Sequence, residues 1–150
     1  MTEHKTILTE FIQKCSAKGL RVTPQRLTIY EALVKTNTHP NAEEIYRTIH
    51  EAHPTISLAT VYKTLDTLEK HGLIATVSQV RDTTRYDSVT TPHHHMICVK
   101  CKRIFDLFDE RLNSLEIPES VTRGNVFLNY SIHFHILCPD CQEKPQTSSS

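Results

Sequence analysis

Four of the five cysteines form two C-x-x-C pairs, Cys98 with Cys101 and Cys138 with Cys141. Two such pairs supply four thiolates, which can form a closed tetrahedral zinc site that stabilises a small domain. Two disulfides or four ordinary buried thiols are the alternatives, and a reducing compartment disfavours them. The fifth thiol, Cys15, stands alone on a predicted helix, and we interpret it as a core or surface residue.

A catalytic zinc site fits this pattern less well than a structural one. Zinc deaminases need a histidine and a nearby glutamate ahead of a P-C-x-x-C motif. Here Pro139 lies inside the second cysteine pair, and the sequence contains no His-x-Glu. Because four thiolates also leave zinc no open position, we expect a structural site.

A second group of metal-binding side chains precedes the first cysteine pair. His93 and His95 lie on one face of an extended segment, with His94 on the opposite face. Two imidazoles on one face can bind one ion, although polar histidines at a domain boundary would give the same pattern. His133 and His135 also share a strand face; we interpret them as buried or surface histidines and assign them to no site.

Composition bounds the fold and the class of protein. With 150 residues, of which 38% are hydrophobic and 23% charged, the chain suits one medium domain or two small ones. Lys+Arg and Asp+Glu are 17 each. This balance excludes a protein that binds nucleic acid through a large net positive charge, but it allows local basic patches. No apolar run approaches the roughly 20 residues that span a bilayer, and the N-terminus opens no secretory signal. We expect a cytoplasmic protein.

The first half of the chain carries clear start and stop signals for four helices with short joints. Thr23-Pro24 supplies an N-cap followed by proline, Asn41 begins a capping-box-like segment, and Ser57 caps the fourth helix. Gly19 and Gly72 end the first and fourth helices.

The fourth helix is predicted over residues 57–71, and a hairpin follows it. The helix carries one apolar stripe at spacings of three and four, consisting of Leu58, Val61, Leu65 and Leu68. Strand-like segments at 73–77 and 85–87 flank a polar turn at 81–84. Helices followed by a two-stranded hairpin describe a winged helix-turn-helix, whose last helix enters the major groove. The alternative is an ordinary amphipathic core helix with a solvated face.

Together these features resemble the ferric uptake regulator (Fur) family of metal-dependent bacterial transcription factors. The matching segments cover about residues 5–141 in the family's order: GLRVTPQR at 19–26, HPNAEEIY at 39–46, SLATVYKTL at 57–65, HGLI at 71–74, and both cysteine pairs. The resemblance implies an α+β fold. An N-terminal winged helix-turn-helix domain is followed by a small α/β dimerisation domain with an antiparallel sheet and a four-cysteine zinc site.

The resemblance also divides the chain. Residues 1–86 would form the DNA-binding domain, and residues 87–142 the dimerisation and metal-binding domain. The tail at 143–150 lacks hydrophobic residues and is predicted to be disordered.

Within the family, a regulatory metal lies between the two domains, and its ligands map onto His39, Asp87, His93, His95 and Asp106. Three imidazoles and two carboxylates suit Fe(II) or Mn(II) better than a thiolate-seeking metal. Iron-sensing members usually carry glutamate at both carboxylate positions, whereas aspartate at both is similar to the peroxide-sensing repressors. In those repressors Fe(II) reacts with hydrogen peroxide and a histidine ligand is oxidised, the counterparts here being His39 and His93.

The family binds DNA as a homodimer that reads an inverted repeat. Its DNA contacts map onto Arg21, for an A/T-rich minor groove, and onto Ser57, Thr60, Tyr62 and Lys63 of the fourth helix. Lys63 stands where many relatives carry arginine, which keeps the charge and loses bidentate guanine recognition.

One further position departs from the family pattern. Tyr130 stands where many relatives carry a histidine that serves an additional metal site. His133 and His135 could replace that histidine, which leaves open whether they form a further metal site. Two other functions remain open from the sequence: an iron- or zinc-uptake repressor of the same family and, more distantly, a metalloenzyme that uses the histidine cluster. An enzyme would need a substrate pocket and an acid/base partner, so we predict a regulator and no enzyme.

Overall fold

The computed structural model describes residues 2–36, 38–80 and 83–142. The chain divides into two compact units, Met1–Thr90 and Thr91–Ser150, which we call the N-terminal unit and the C-terminal unit. The division falls four residues after the boundary predicted from the sequence. The tail at 143–150 and Arg81 and Asp82 of the predicted turn lie outside the described residues.

The N-terminal unit begins with four α-helices: α1 (Thr2–Ala17), α2 (Pro24–Lys35), α3 (Ala42–His50) and α4 (Leu58–Lys70). The predicted caps are confirmed. Thr23 and Ser57 accept hydrogen bonds from the backbone N–H three residues later, at 3.2 and 3.1 Å. Asn41 and Glu44 form a complete capping box. Helix starts in this unit are therefore set by residues only three positions apart.

The stripe on α4 forms the centre of the core of the N-terminal unit. Val61, Leu65 and Leu68 are fully buried, whereas Leu58 is only half-buried. They belong to one hydrophobic cluster with side chains from α1, α2 and α3, such as Phe11, Ile29, Leu33 and Ile45. Cys15 is buried in the same cluster, and burial raises the pKa of its thiol. Of the two interpretations of Cys15, a core or a surface residue, the core position is therefore confirmed.

The predicted hairpin is present as β1 (Ala75–Val80) and β2 (Thr83–Asp87), which pair antiparallel. β1 begins two residues later and ends three residues later than predicted, and β2 begins at Thr83, within the predicted turn. The backbone N–H of Tyr86 donates to the carbonyl of Pro40 at 3.0 Å, which ties β2 to the segment ahead of α3. The four helices and this hairpin form the predicted winged helix-turn-helix.

The C-terminal unit contains a three-stranded sheet and two single-turn helices: β3 (His94–Cys98), β4 (Ile104–Leu107), α5 (Glu110–Asn113), α6 (Glu119–Thr122) and β5 (His133–Ile136). The sheet order is β4-β3-β5. The predicted antiparallel pairing is found between β3 and β4, and a parallel pairing of β3 with β5 adds to it. Parallel strands need a long crossover, which here contains α5 and α6.

Few apolar side chains are buried in the C-terminal unit. Within 91–142, the buried hydrophobic residues are Ile97, Cys98, Ile104 and Cys138. Many large apolar side chains are exposed there instead: Val99, Phe108, Leu115, Val121, Val126, Phe127, Leu128, Phe134 and Leu137. A core of this size stabilises a domain weakly, so the unit depends on further interactions such as a metal or a partner.

No helix among the described ranges is both long and apolar enough to cross a bilayer.

Candidate metal centres and nucleic-acid surface

The C-terminal unit brings the four predicted zinc ligands together. Each of Cys98, Cys101, Cys138 and Cys141 offers a sulfur, and the four sulfurs lie within 4.8 Å of one another. The pairing of β3 with β5 causes this proximity, because Cys98 ends β3 and Cys138 follows the end of β5. A short 3₁₀ turn then presents Cys141. Each C-x-x-C pair forms one zinc knuckle, and the four sulfurs of the two knuckles fit a tetrahedral zinc ion.

Hydrogen-bond donors around the sulfurs favour the thiolate form that zinc requires. The backbone N–H of Cys138 donates to Cys98 Sγ at 3.5 Å, and such backbone donors lower the pKa of Cys98. Arg103 Nε donates to Cys101 Sγ at 3.4 Å and lowers the pKa of that thiol. By contrast, the side-chain hydrogen bond between Cys141 and Cys138 raises the pKa of Cys141, because it favours the neutral Cys141 thiol as the donor. A cluster of partly ionised thiols is repulsive without a cation, so these residues fit zinc.

Arg103 is not among the residues predicted from the sequence, although it contacts two of the four cysteines, Cys101 and Cys138. Its Nη2 lies 3.5 Å from Cys138 Sγ and 2.7 Å from Asp140 Oδ2. A guanidinium here offsets part of the negative charge that four thiolates retain around zinc. The only signal in the sequence was a basic residue two positions after the first knuckle, which is common on protein surfaces.

Lys102 adopts a left-handed backbone conformation, with φ of 66°. This conformation costs a residue with a side chain about 1–2 kcal/mol, whereas glycine adopts it freely. Lys102→Gly should therefore increase the free energy of unfolding of the zinc-loaded protein by about 0.5–1 kcal/mol, once the greater entropy loss of glycine on folding is subtracted. The melting temperature should rise accordingly. Calorimetry measures the effect. Lys100→Gly is the matched control and should not stabilise; a lower melting temperature for Lys102→Gly would contradict the argument.

In the N-terminal unit, His39 and Asp87, two of the predicted regulatory-metal ligands, lie side by side. His39 Nε2 lies 3.3 Å from Asp87 Oδ2, and both side chains are buried. His39 has a φ of 52°, a region that histidine enters more readily than most residues. Arg85 donates to the His39 carbonyl at 3.0 Å and pairs with Glu44. The backbone before α3 is thus held so that the imidazole meets the carboxylate.

In the C-terminal unit, His93, His95 and Asp106 form a second group. His93 Nε2 and His95 Nε2 lie 3.4 and 3.5 Å from the same oxygen, Asp106 Oδ1. His93 Nδ1 lies 2.8 Å from the carbonyl of Thr91 and must donate to it, so the neutral ring carries its lone pair on Nε2. The Nε2 lone pair of His93 thus faces the Asp106 carboxylate, and such an arrangement is repulsive unless a proton or cation intervenes. The group therefore fits a divalent metal.

His94 lies on the opposite face of β3, as predicted, and takes part in a network of its own. Its Nδ1 accepts from the backbone N–H of Ile132 at 3.1 Å, so its Nε2–H donates to Asn113 Oδ1 at 2.8 Å. The ring stacks on Tyr130, 5.8 Å away. The Tyr130 hydroxyl accepts from the backbone N–H of Leu115 at 3.2 Å. Tyr130, the predicted counterpart of a family histidine, thus makes structural contacts.

The predicted DNA-binding residues of α4 divide between two surface clefts. Lys63 is exposed and lines a polar cleft of about 300 Å³ with Thr23, Gln25, Arg26, Thr60, Thr64 and Thr67. Tyr62, which is 48% exposed, lines a cleft of about 350 Å³ that also involves Thr83 and Thr84 of β2. The helix α4 and the strand β2 therefore line the same cleft.

Ser57, Thr60 and Arg21 are the other predicted DNA contacts, and of these three only Thr60 lines one of the two clefts. Ser57 caps α4, and its hydroxyl bonds to that of Thr60 at 2.9 Å, so both hydroxyls already have local partners. Arg21 is exposed but lines neither cleft; its carbonyl accepts from Arg26 at 2.6 Å. Arg26 and Gln25, which the sequence did not single out, border the Lys63 cleft instead. Their position in the family-like segment at 19–26 was the available signal.

The chain belongs to the ferric uptake regulator family, whose model matches residues 17–132. It is 34% identical over 143 residues to the peroxide-responsive repressor PerR of Staphylococcus saprophyticus, and 33% identical to PerR of Staphylococcus aureus. Both alignments cover 95% of each chain. These relatives are transcriptional regulators.

Solved structures show the same fold. The ferric uptake regulator of Helicobacter pylori, described with three functional metal-binding sites, is 26% identical, with a TM-score of 0.69 and 95% of each chain covered. PerR of Streptococcus pyogenes is 28% identical, with a TM-score of 0.51 over 90% of this chain and 92% of that one. A zinc uptake regulator in complex with zinc and DNA has a TM-score of 0.75 at 21% identity, which supports the fold alone; it covers 94% of this chain and 96% of that one.

Proposed function

We propose that the protein is a metal-dependent transcriptional repressor of the cytoplasm that binds double-stranded DNA as a homodimer and responds to peroxide. The observation that carries the proposal is aspartate at both carboxylate positions. Asp87 lies 3.3 Å from His39, and Asp106 lies 3.4 and 3.5 Å from His93 and His95. The similarity to PerR proteins supports it.

A single regulatory ion, Fe(II) or Mn(II), would be ligated by His39, Asp87, His93, His95 and Asp106. The first two ligands belong to the N-terminal unit and the others to the C-terminal unit. Ligands from both units would favour one arrangement of the units through differential affinity. In a symmetric dimer, that arrangement would set the spacing of the two α4 helices and so the spacing of an inverted repeat.

The peroxide response would use the same ligands. Bound Fe(II) would supply the one-electron chemistry that cleaves hydrogen peroxide. Overall, one peroxide oxygen would be inserted at a ring C–H of His39 or His93, and the other would leave as water. The short aspartate side chains would leave one edge of the site open to peroxide. The Thr91 carbonyl, which fixes the tautomer of His93, would keep its Nε2 directed at the site. Loss of a ligand would then release the metal and the DNA.

The exposed apolar residues of the C-terminal unit support the homodimer. Val126 and Leu128 are 88% and 83% exposed, and Phe108 is 61% exposed. So many large exposed apolar side chains in one small unit are typical of a protein–protein interface. A second copy of the chain would cover them.

DNA binding should require the regulatory metal and should depend on Lys63. Lys63→Ala should weaken binding by about tenfold or more, because each lost base or phosphate contact is worth about 1–3 kcal/mol. Fluorescence anisotropy measures this on a duplex selected from a randomised pool with Mn(II)-loaded protein. Lys35→Ala is the matched control, because Lys35 is an exposed lysine paired with Glu31 at the far end of α2. Equal binding by metal-loaded and metal-depleted protein would refute the proposed function.

A further inference from the structure

A row of three metal-binding side chains crosses the sheet of the C-terminal unit. His95, on the central strand β3, pairs in register with Asp106 of β4 on one side. On the other side it pairs in register with His133 of β5. Directly paired residues project from the same face of a sheet. Carboxylate, imidazole and imidazole therefore stand side by side on one face.

Neighbouring side chains of this row lie close together. His95 Nε2 lies 3.5 Å from Asp106 Oδ1, and the ring centroids of His95 and His133 are 5.6 Å apart, edge to face. His93 joins the row from the chain just ahead of β3. Its ring is 4.7 Å from that of His95, and its Nε2 is 3.4 Å from Asp106 Oδ1.

Two nearby histidines are not part of this group. His135 pairs in register with Ile97, so its neighbour on the sheet face is apolar, and it is exposed. His94 projects from the opposite face, where both of its ring nitrogens have hydrogen-bond partners. Among these three histidines, only His133 lies directly opposite His95 on the same face of the sheet.

We propose that the sheet of the C-terminal unit holds a divalent cation by itself, through His93, His95, Asp106 and His133. This rests on the proposed function in that three of the four ligands are those of the regulatory site. Three imidazoles and one carboxylate are a sufficient set for a first-row divalent metal. The metal would then load onto the C-terminal unit first, and His39 and Asp87 would add to a preformed site.

The test uses the full chain with zinc bound at the four cysteines. A double variant, His39→Ala with Asp87→Ala, removes both proposed ligands of the N-terminal unit. Cobalt(II) is the probe, because its visible absorption reports nitrogen and oxygen ligation and would show a thiolate band if it displaced zinc. The double variant should bind one Co(II) per chain. Adding His133→Ala should weaken that binding by about tenfold or more. Adding His135→Ala instead should leave it unchanged.

A second substitution, His133→Gln, keeps the size of the side chain and should weaken binding in the same way. Zinc content and circular dichroism confirm that each variant is folded. The inference is wrong if the double variant binds no Co(II), or if the His133 variants bind as tightly as His135→Ala. The proposed function fails separately: a wild-type protein whose DNA binding ignores metal would contradict the repressor mechanism and leave the sheet site intact.

Discussion

Replacing Cys98 with serine should release the zinc and unfold the C-terminal unit while the N-terminal unit stays folded. Cys98 is completely buried at the end of the central strand and accepts a backbone hydrogen bond from the second knuckle. Structural zinc binding contributes on the order of 10 kcal/mol to folding, which is comparable to the whole stability of a domain. The few buried apolar residues within 91–142 cannot replace that contribution. The loss should therefore be complete rather than partial.

Metal analysis and limited proteolysis measure this outcome. Wild-type protein purified under reducing conditions should contain one zinc per chain, and Cys98→Ser should contain almost none, with cleavage confined to residues 91–142. Cys15→Ala is the matched control, because Cys15 is equally buried but belongs to the core of the N-terminal unit. It should keep its zinc. A Cys98→Ser protein with a full zinc complement and an intact C-terminal unit would refute the assignment.

Iron-loaded protein treated with stoichiometric hydrogen peroxide should gain one oxygen atom on His39 or His93 and release DNA. Both histidines lie within 3.4 Å of an aspartate of the proposed site. Manganese-loaded protein should do neither, because Mn(II) does not drive the one-electron reduction of peroxide under these conditions. Mass spectrometry of tryptic peptides locates the added oxygen, and anisotropy follows the DNA.

Asp106→Glu separates the peroxide response from metal binding. The longer carboxylate can still ligate the metal, so metal-dependent DNA binding should persist. It can also close the open edge of the site, and displacements of about 1 Å in a reactive site change rates by tenfold or more. Histidine oxidation should therefore fall by at least about tenfold. Oxidation confined to the cysteines, or none with iron bound, would favour an iron-uptake repressor.

The helix starts of the N-terminal unit could be predicted because each depends on a few adjacent residues. Thr23, Asn41 and Ser57 all accept the hydrogen bonds that their types and positions indicated. The stripe of α4 was equally readable, since a period near 3.6 identifies a buried face. Local chemistry therefore predicted most of this unit.

The C-terminal unit was less predictable because its key contacts join distant parts of the chain. The register that places His133 beside His95 depends on a parallel pairing across a crossover, and no short pattern encodes it. Arg103 meets Cys138 only after the two knuckles come together. The left-handed backbone of Lys102 was hidden because glycine, the usual marker of that conformation, is absent there.

The parallel pairing of β3 with β5 also has a consequence for how the chain matures. β4 can pair with β3 as soon as it emerges, because only a short turn joins them, whereas β5 arrives after α5 and α6. Until then β3 has one open edge, a template for pairing with other chains. The two cysteine pairs flank these strands, so a bound zinc ion closes the intervening loop and reduces the entropic penalty of bringing β5 to the sheet. A newly made chain without zinc would thus keep one edge of β3 unpaired for longer, and an open strand edge favours aggregation.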